Sequence, residues 1–382
     1  MAYHTTIYGQ LLTLFSRLDF QKIVTTHKGD YRVRKLTCRS QFIHLLFSQI
    51  GGHDSLRDTV DSSASLSSKL YHLGCRSVPR STLSDANNKR NSQIYEDLFY
   101  NMYERAVKLA PKYKLDLPRE LYMMDSTTID LCQSLFPWAR FRKNKAGVKL
   151  HTLLKADGAL PAFIRITEAK MHDGKAAKEI PVPEGSYLVF DKAYHDFEQY
   201  KQYKNRNIRF ITRMKTNAAF RVLKSKEIDQ ANILSDEIIE FTGYLTHKKY
   251  PHPLRKIVFW NEEKNREIVF LTNDLSLPAK TIADIYKARW EIELFFKMIK
   301  QNLKIKRFIG CSENAVRTQI WIAMIAYLLI SFLKFSQKSQ YSIQTILRII
   351  RTNLFERRCL IELMHKTGSR KIQDKQIALF QT

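Results

Sequence analysis

Three acidic residues and a short run of polar ones define the chemistry open to this chain. Asp125 closes the apolar run 121–124 (LYMM), and Asp191 closes 186–190 (SYLVF). Glu293 lies in 284–306 (DIYKARWEIELFFKMIKQNLKIK) with Tyr286, Arg289 and Lys300. Carboxylates drawn from distant parts of a chain suit hard divalent cations. A pair of such ions about 4 Å apart can deprotonate a water and stabilise the leaving 3′ oxygen of a phosphodiester. No His/Cys set has zinc spacing, so the implied cofactor is Mg²⁺ or Mn²⁺, as two ions. Arg and Lys around one Glu suit phosphate held beside a metal. Each feature also has a plainer reading. An Asp after a short strand is commonly a turn or cap residue, and Asp125 before Ser-Thr-Thr fits that description. Arg289 and Glu293, four apart, fit a solvated helical ion pair.

These residues need particular elements to bring them together. Ile285, Ala288, Ile292, Phe295, Phe296 and Ile299 recur with a helical period, and no Pro or Gly interrupts 284–306. At about 100° per residue, Tyr286, Arg289, Glu293 and Lys300 share one strip, with Ile292, Phe295 and Ile299 opposite. Glu291 falls on the apolar side, which leaves Glu293 as the candidate acid. From about residue 116 the chain alternates: strands at 121–124, 148–155 and 160–167 with a turn at Asp157-Gly158, a helix at 173–179, a strand at 186–190, a helix at 196–204 and a strand at 208–214. That order, with Asp at the ends of the first and fourth strands and a closing helix carrying a third carboxylate, is the ribonuclease-H-like plan, an α/β fold. Asp130, Asp173 and Asp196 are set aside because they fall in helical or loop segments. Runs at 238–241, 256–260 and 267–271 make 215–275 a β-rich insertion within a catalytic domain of 116–335.

Residues 1–115 read as helical. Ile7, Leu11, Leu14, Phe15 and Leu18 form one apolar face, Phe42, Leu45, Leu46 and Ile50 another, and Gly51-Gly52 closes the second helix. After Pro79, a short helix, a turn at 85–88 and a longer helix from about Ser92 carry Arg76, Arg80, Lys89 and Arg90. This pattern fits a helix-turn-helix on DNA, and equally a basic bundle packed on the catalytic domain. The apolar run 320–333 is shorter than the roughly 20 residues of a membrane span and reads as a buried core helix. Residues 336–382 read as a basic helical tail.

The composition has 63 Lys and Arg against 37 Asp and Glu, a net charge of +26 with no single basic tail. Such a surface implies a polyanionic partner, of which nucleic acid is the commonest. Five scattered cysteines without a C-x-x-C pair fit a reducing cytoplasm, and the first residues lack the pattern of a signal peptide.

Tyr286, Arg289, Glu293 and Lys300 match Y-x2-R-x3-E-x6-K without a mismatch. In this, and in the two upstream Asp residues and the β-rich insertion, the chain resembles the insertion-sequence-4 family of DDE transposases. The resemblance implies Asp125, Asp191 and Glu293 as the catalytic, metal-binding acids. It implies cut-and-paste transposition at terminal inverted repeats, with a hairpin at the transposon end. Tyr286, Arg289 and Lys300 would contact end phosphates. The segment 210–215 (FITRMK) also resembles the family and offers Arg213 and Lys215 as DNA contacts. A base flipped out beside the hairpin would stack on an aromatic, with Trp260 and Trp290 as the candidates. By analogy the partners are double-stranded DNA, both ends and target, and a second copy of the chain in a synaptic homodimer. The tail 336–382 would supply dimer contacts, and the location would be the bacterial cytoplasm, on the nucleoid. Two other readings share these residues: a catalytically silent DNA-binding regulator, and a ribonuclease-H-like nuclease without strand transfer.

Overall fold

Apolar residues at helical spacing make the first hundred residues a series of helices. The computed structural model describes residues 5–143, 145–215, 218–228, 230–303, 305 and 307–365. The series comprises α1 (Ile7–Leu12), α2 (Arg17–Thr26), α3 (Cys38–Gly51), α4 (Leu56–Ser65), α5 (Ser67–Tyr71), α6 (Arg80–Lys89) and α7 (Gln93–Val107). The hydroxyls of Thr6, Ser16, Thr37 and Ser55 accept a backbone N–H in the first turn of α1 to α4 and so start those helices. Gly52 ends α3 at φ 77, a left-handed conformation that glycine adopts without strain. Residues 85–88, expected as a turn, are the last turns of α6, and the break falls at Arg90–Ser92 instead. Asn87 is the reason: buried, it accepts from the Gln41 amide at 2.7 Å, which satisfies a side chain that would otherwise favour a turn.

Alternation of apolar and polar residues builds a single sheet from the middle of the chain. Its strands are β1 (Leu121–Leu131), β2 (Arg140–Arg142), β3 (Lys145–Lys155), β4 (Leu160–Glu168), β5 (Tyr187–Phe190), β6 (Arg209–Arg213), β7 (Phe220–Ser225), β8 (Ile233–Phe241), β9 (Leu254–Asn261) and β10 (Arg266–Thr272). Gly158, at φ 67, makes the turn from β3 to β4. Hydrogen bonding runs β4-β3-β1 antiparallel, then β1-β5-β6 parallel. This is the ribonuclease-H-like order, as the sequence pattern anticipates. The insertion extends the same sheet, because β10 pairs antiparallel with β6, and β9, β8 and β7 follow outward. The intervening helices are α8 (Asp173–Ala177), α9 (Phe197–Asn205) and α10 (Tyr244–Lys249), and α11 (Ala279–Lys287) and α12 (Trp290–Gln301) follow the sheet. Phe190, Tyr200, Tyr203, Phe210, Phe241 and Tyr250 fill the core on one face.

Among the described residues, α13 (Glu313–Ser336) and α14 (Ile343–Asn353) follow. Every residue from Ile320 to Leu333 on α13 is buried, in packing with α3, α6, α7 and α14. The apolar run is thus a core helix, although its length and hydropathy would also pass for a span. By contacts, the described residues up to 111, 134–138 and from 297 to 365 form one unit, and those of 112–133 and 139–296 form the other. Of the expected tail, residues 366–382 lie outside the described ones.

Candidate active site

Parallel pairing of β1 with β5 ends at Met124 opposite Phe190. Asp125 and Asp191 are each the next residue, so two carboxylates stand side by side where the parallel ladder stops. Asp125 is not at the end of its strand, contrary to the sequence reading, because β1 continues to Leu131 against β3. Asp191 leaves β5 and accepts the Ala193 N–H at 3.0 Å.

Glu293 arrives on α12. The expected single helix over 284–306 is broken: α11 ends at Lys287 and α12 begins at Trp290. Between them Ala288, Arg289, Glu291 and Ile292 donate to the carbonyls three residues back, at 2.9 to 3.3 Å, the tighter pattern of a 3₁₀ turn. Neither Pro nor Gly marks the break; it coincides with Arg289, whose guanidinium is held from two sides. Its Nη2 lies 2.6 Å from Glu293 Oε1 and its Nη1 3.5 Å from Asp125 Oδ2. Arg213, at the end of β6, places Nη2 2.8 Å from Asp191 Oδ2. Each of the three acids therefore faces a guanidinium, and all of these side chains are at most about a third exposed.

The electrostatics reflect this crowding. Burial pushes the Asp125 carboxyl up to about 6; Asp191 and Glu293 push the same way, and Arg289 and the Ser126 N–H oppose them. Burial also acts on Asp191, but the Arg213 guanidinium and the Ala193 N–H hold it below its ordinary value. Burial first, and the Glu291 carboxylate second, raise the Tyr113 phenol. Three carboxylates with no His or Cys among them suit a hard divalent ion rather than zinc. Among the described residues, however, no three His, Cys, Asp or Glu side chains are drawn together closely enough to cage an ion. Their oxygens are turned to the arginines.

Tyr286, on α11, packs its ring on Phe270 at 5.0 Å, lies under the Arg289 guanidinium at 5.8 Å, and has its phenol oxygen buried. Among the described residues, the Nε atoms of Arg213 and Arg289 are buried and have no hydrogen-bond partner. Lys215 is exposed just past β6, and its charge helps burial push His195 down to about 4. Trp290 is 57% exposed directly beside Arg289. Trp260 is half-buried on β9 opposite Glu267, three strands from β5, so roughly 15 Å away across the sheet. Lys300 is half-buried in the last turn of α12, within the helical unit. In the helical region Arg76, Arg80 and Lys89 are exposed. Arg90 is a structural residue, bonding Gln41 and the Leu36 carbonyl.

The fold brings one further acid to the neighbour of Asp125. Asp173, set aside as a helical residue, lies against Ser126, Lys149 and His151. The signal was present in β3, where Lys149 and His151 alternate with apolar neighbours and so share one face of a buried strand.

Residues 116–329, more than half of the chain, match the family described as the transposase DDE domain, and residues 3–76 match a domain of unknown function. A protein named as the transposase of insertion sequence element IS5377 in Geobacillus stearothermophilus is 32% identical over 349 residues, covering 89% of this chain and 88% of that one. A protein named as transposase y4zB in Sinorhizobium fredii is 31% identical over 281 residues, covering 72% and 77%. A third, named for insertion sequence element IS4SA in Synechocystis, is 27% identical over 311 residues, covering 78% and 84%.

Proposed function

The chain belongs to the insertion-sequence-4 family of DDE transposases, enzymes that cleave DNA and transfer its strands, and from that premise we propose that Asp125, Asp191 and Glu293 are its catalytic acids. The observation that carries this reading is the meeting of three carboxylates, remote in sequence, around Arg289 and Arg213. By their chemistry these acids would hold Mg²⁺ or Mn²⁺, as two ions. When bound, the ions supply a deprotonated water and stabilisation of the leaving 3′ oxygen. The residues of the chain then orient the DNA. Among the described residues, nothing accepts from the buried Nε–H groups of Arg289 and Arg213, and a guanidinium fork matches phosphate oxygens. Moving from carboxylate to phosphate, each arginine would free an acid as the DNA backbone arrives. Tyr286, Lys300 and Lys215 would add phosphate contacts, Lys215 from an exposed position. Trp290, exposed beside Arg289, is a better stacking platform for a flipped base than the half-buried Trp260.

DNA is the substrate of the family, and the net charge of +26 fits it. Beyond this we infer double-stranded inverted repeats as the recognised ends, cut and paste through a hairpin, and a homodimer that joins both ends in one synaptic complex. The helical region 1–115 would bind end DNA and the tail 336–382 would support the dimer, in a cytoplasmic, nucleoid-associated enzyme. The decisive experiment uses a labelled duplex carrying the terminal repeat read from DNA flanking the gene, with Mg²⁺ and a target plasmid. Cleavage followed by insertion is the expected result. Binding without cutting would point to a silent regulator, and degradation without joining to a plain nuclease. Glu293→Gln should lower cleavage by at least about a hundredfold, in line with the loss of one essential group, and leave end binding within about twofold. A Glu293→Gln enzyme that still cuts would remove Glu293 from the site.

A further inference from the structure

Beside Asp125 on β1, Ser126 enters a polar cluster that the chemistry of the three acids does not use. Ser126 stands opposite His151 in the β1–β3 register, and facing residues of a pair lie on the same side of a sheet. Lys149, two residues along β3, shares that side. Asp173, the first residue of α8, directs Oδ1 into this group. Ser126 Oγ donates to it at 2.7 Å, and Lys149 Nζ lies 3.2 Å away. His151 Nδ1 is at 3.6 Å, beyond hydrogen-bond reach, while its Nε2 is 3.0 Å from Thr167 Oγ1. Lys149 also donates to the Met171 carbonyl at 3.0 Å, and its side chain is only 13% exposed.

Removing a lysine and a carboxylate from water is costly, and such a pair seldom stabilises a fold more than apolar packing would. What this pair does hold is Ser126. The Ser126 N–H donates to Asp125 Oδ1 at 2.8 Å and thereby sets the rotation of that carboxylate. The Ser126 hydroxyl is set in turn by Asp173. Asp125 Oδ2 is left facing Arg289, on the side of Glu293. Residues that orient a metal-binding side chain from behind commonly change metal affinity by about 10- to 100-fold when replaced.

We propose that Asp173, balanced by Lys149, is a positioning residue that acts through Ser126 to fix the Asp125 carboxylate for a divalent cation. The proposal rests on the reading of Asp125 as a metal-binding acid. The test is Mn²⁺ binding to the free full-length chain, followed by the paramagnetic resonance of unbound Mn²⁺, with Asp125→Asn as reference. A duplex of arbitrary sequence reports whether the DNA-binding surface is intact. Asp173→Asn keeps the size of the side chain and removes its charge. It should weaken Mn²⁺ binding by about tenfold with duplex affinity unchanged within twofold. Ser126→Ala should weaken it in the same direction. The two changes together should add less than about twofold to the larger single effect, because coupled residues are not additive. If Asp125→Asn weakens Mn²⁺ binding and neither Asp173→Asn nor Ser126→Ala does, the proposal fails while the acid assignment stands. If Asp125→Asn itself leaves Mn²⁺ binding unchanged, both fail. A further tenfold loss from Asp173→Asn in the Ser126→Ala background would overturn the route through Ser126. Should Asp173→Asn fail to fold, as thermal unfolding would reveal, Ser126→Ala lacks only one hydroxyl and decides alone.

Discussion

Arg289 is bonded to two of the acids that a divalent ion would need, and this sets up a competition at one guanidinium. Arg289→Gln removes the competing positive charge. It should tighten Mn²⁺ binding by the DNA-free chain by about tenfold, near 1.4 kcal/mol, while weakening DNA binding; unchanged Mn²⁺ affinity in a metal titration would mean the arginine does not compete. Asp125 adds a pH dependence whose sign is fixed by its environment. The folded chain holds that proton up to about 6, against an ordinary value of 3.8. Folding therefore takes up a proton between those values, and this contribution to stability is present below about 3.8 and lost as pH rises through about 6. Metal binding needs the bare carboxylate, so the sign reverses: Mn²⁺ affinity should be level above about pH 6 and fall about tenfold per unit below it. A titration flat from about pH 5 to 7 would mean Asp125 is not among the groups the ion displaces a proton from.

Among the elements, α13 separates two readings of one apolar run. As a core helix it predicts that Leu329→Ala, at a fully buried position, costs about 2–5 kcal/mol in denaturant unfolding. A cost near zero would contradict the packing. The elements also show how far the sequence can be read. The apolar runs before Asp125 and Asp191 and the Asp157-Gly158 turn predict β1, β5 and the β3–β4 hairpin because strand and turn signals are local. Helical spacing places Glu293 beside Arg289, since neighbours three and four apart stay neighbours even across the 3₁₀ turn. The turn itself was invisible, because partners distant in the chain impose it on residues with good helical preference. The helical state of 85–88 was missed for the same reason: the Gln41 partner of Asn87 lies 46 residues away. The contact of Asp173 with Ser126 is not legible in the sequence, because only the fold brings the two together across 47 residues.

For the whole molecule, charge and sheet topology matter most. A surplus of +26 spread over the chain predicts DNA affinity that falls steeply with salt. In a plot of log affinity against log salt, Arg289→Gln should lower the slope by about one, as the loss of a single phosphate contact; an unchanged slope would place that side chain off the DNA backbone. The insertion has no edge of its own next to the core strands, since β10 is stitched to β6 along residues 270–272 and 211–213. Growth or trimming is therefore permitted only from the outside inward. The β7–β8 hairpin can lengthen, shrink or vanish and leave a paired sheet behind. Loss of β10 would strip β6 of a neighbour and bare the strand that ends in Arg213, so variation in size among natural or engineered versions of this enzyme should gather at the outer hairpin.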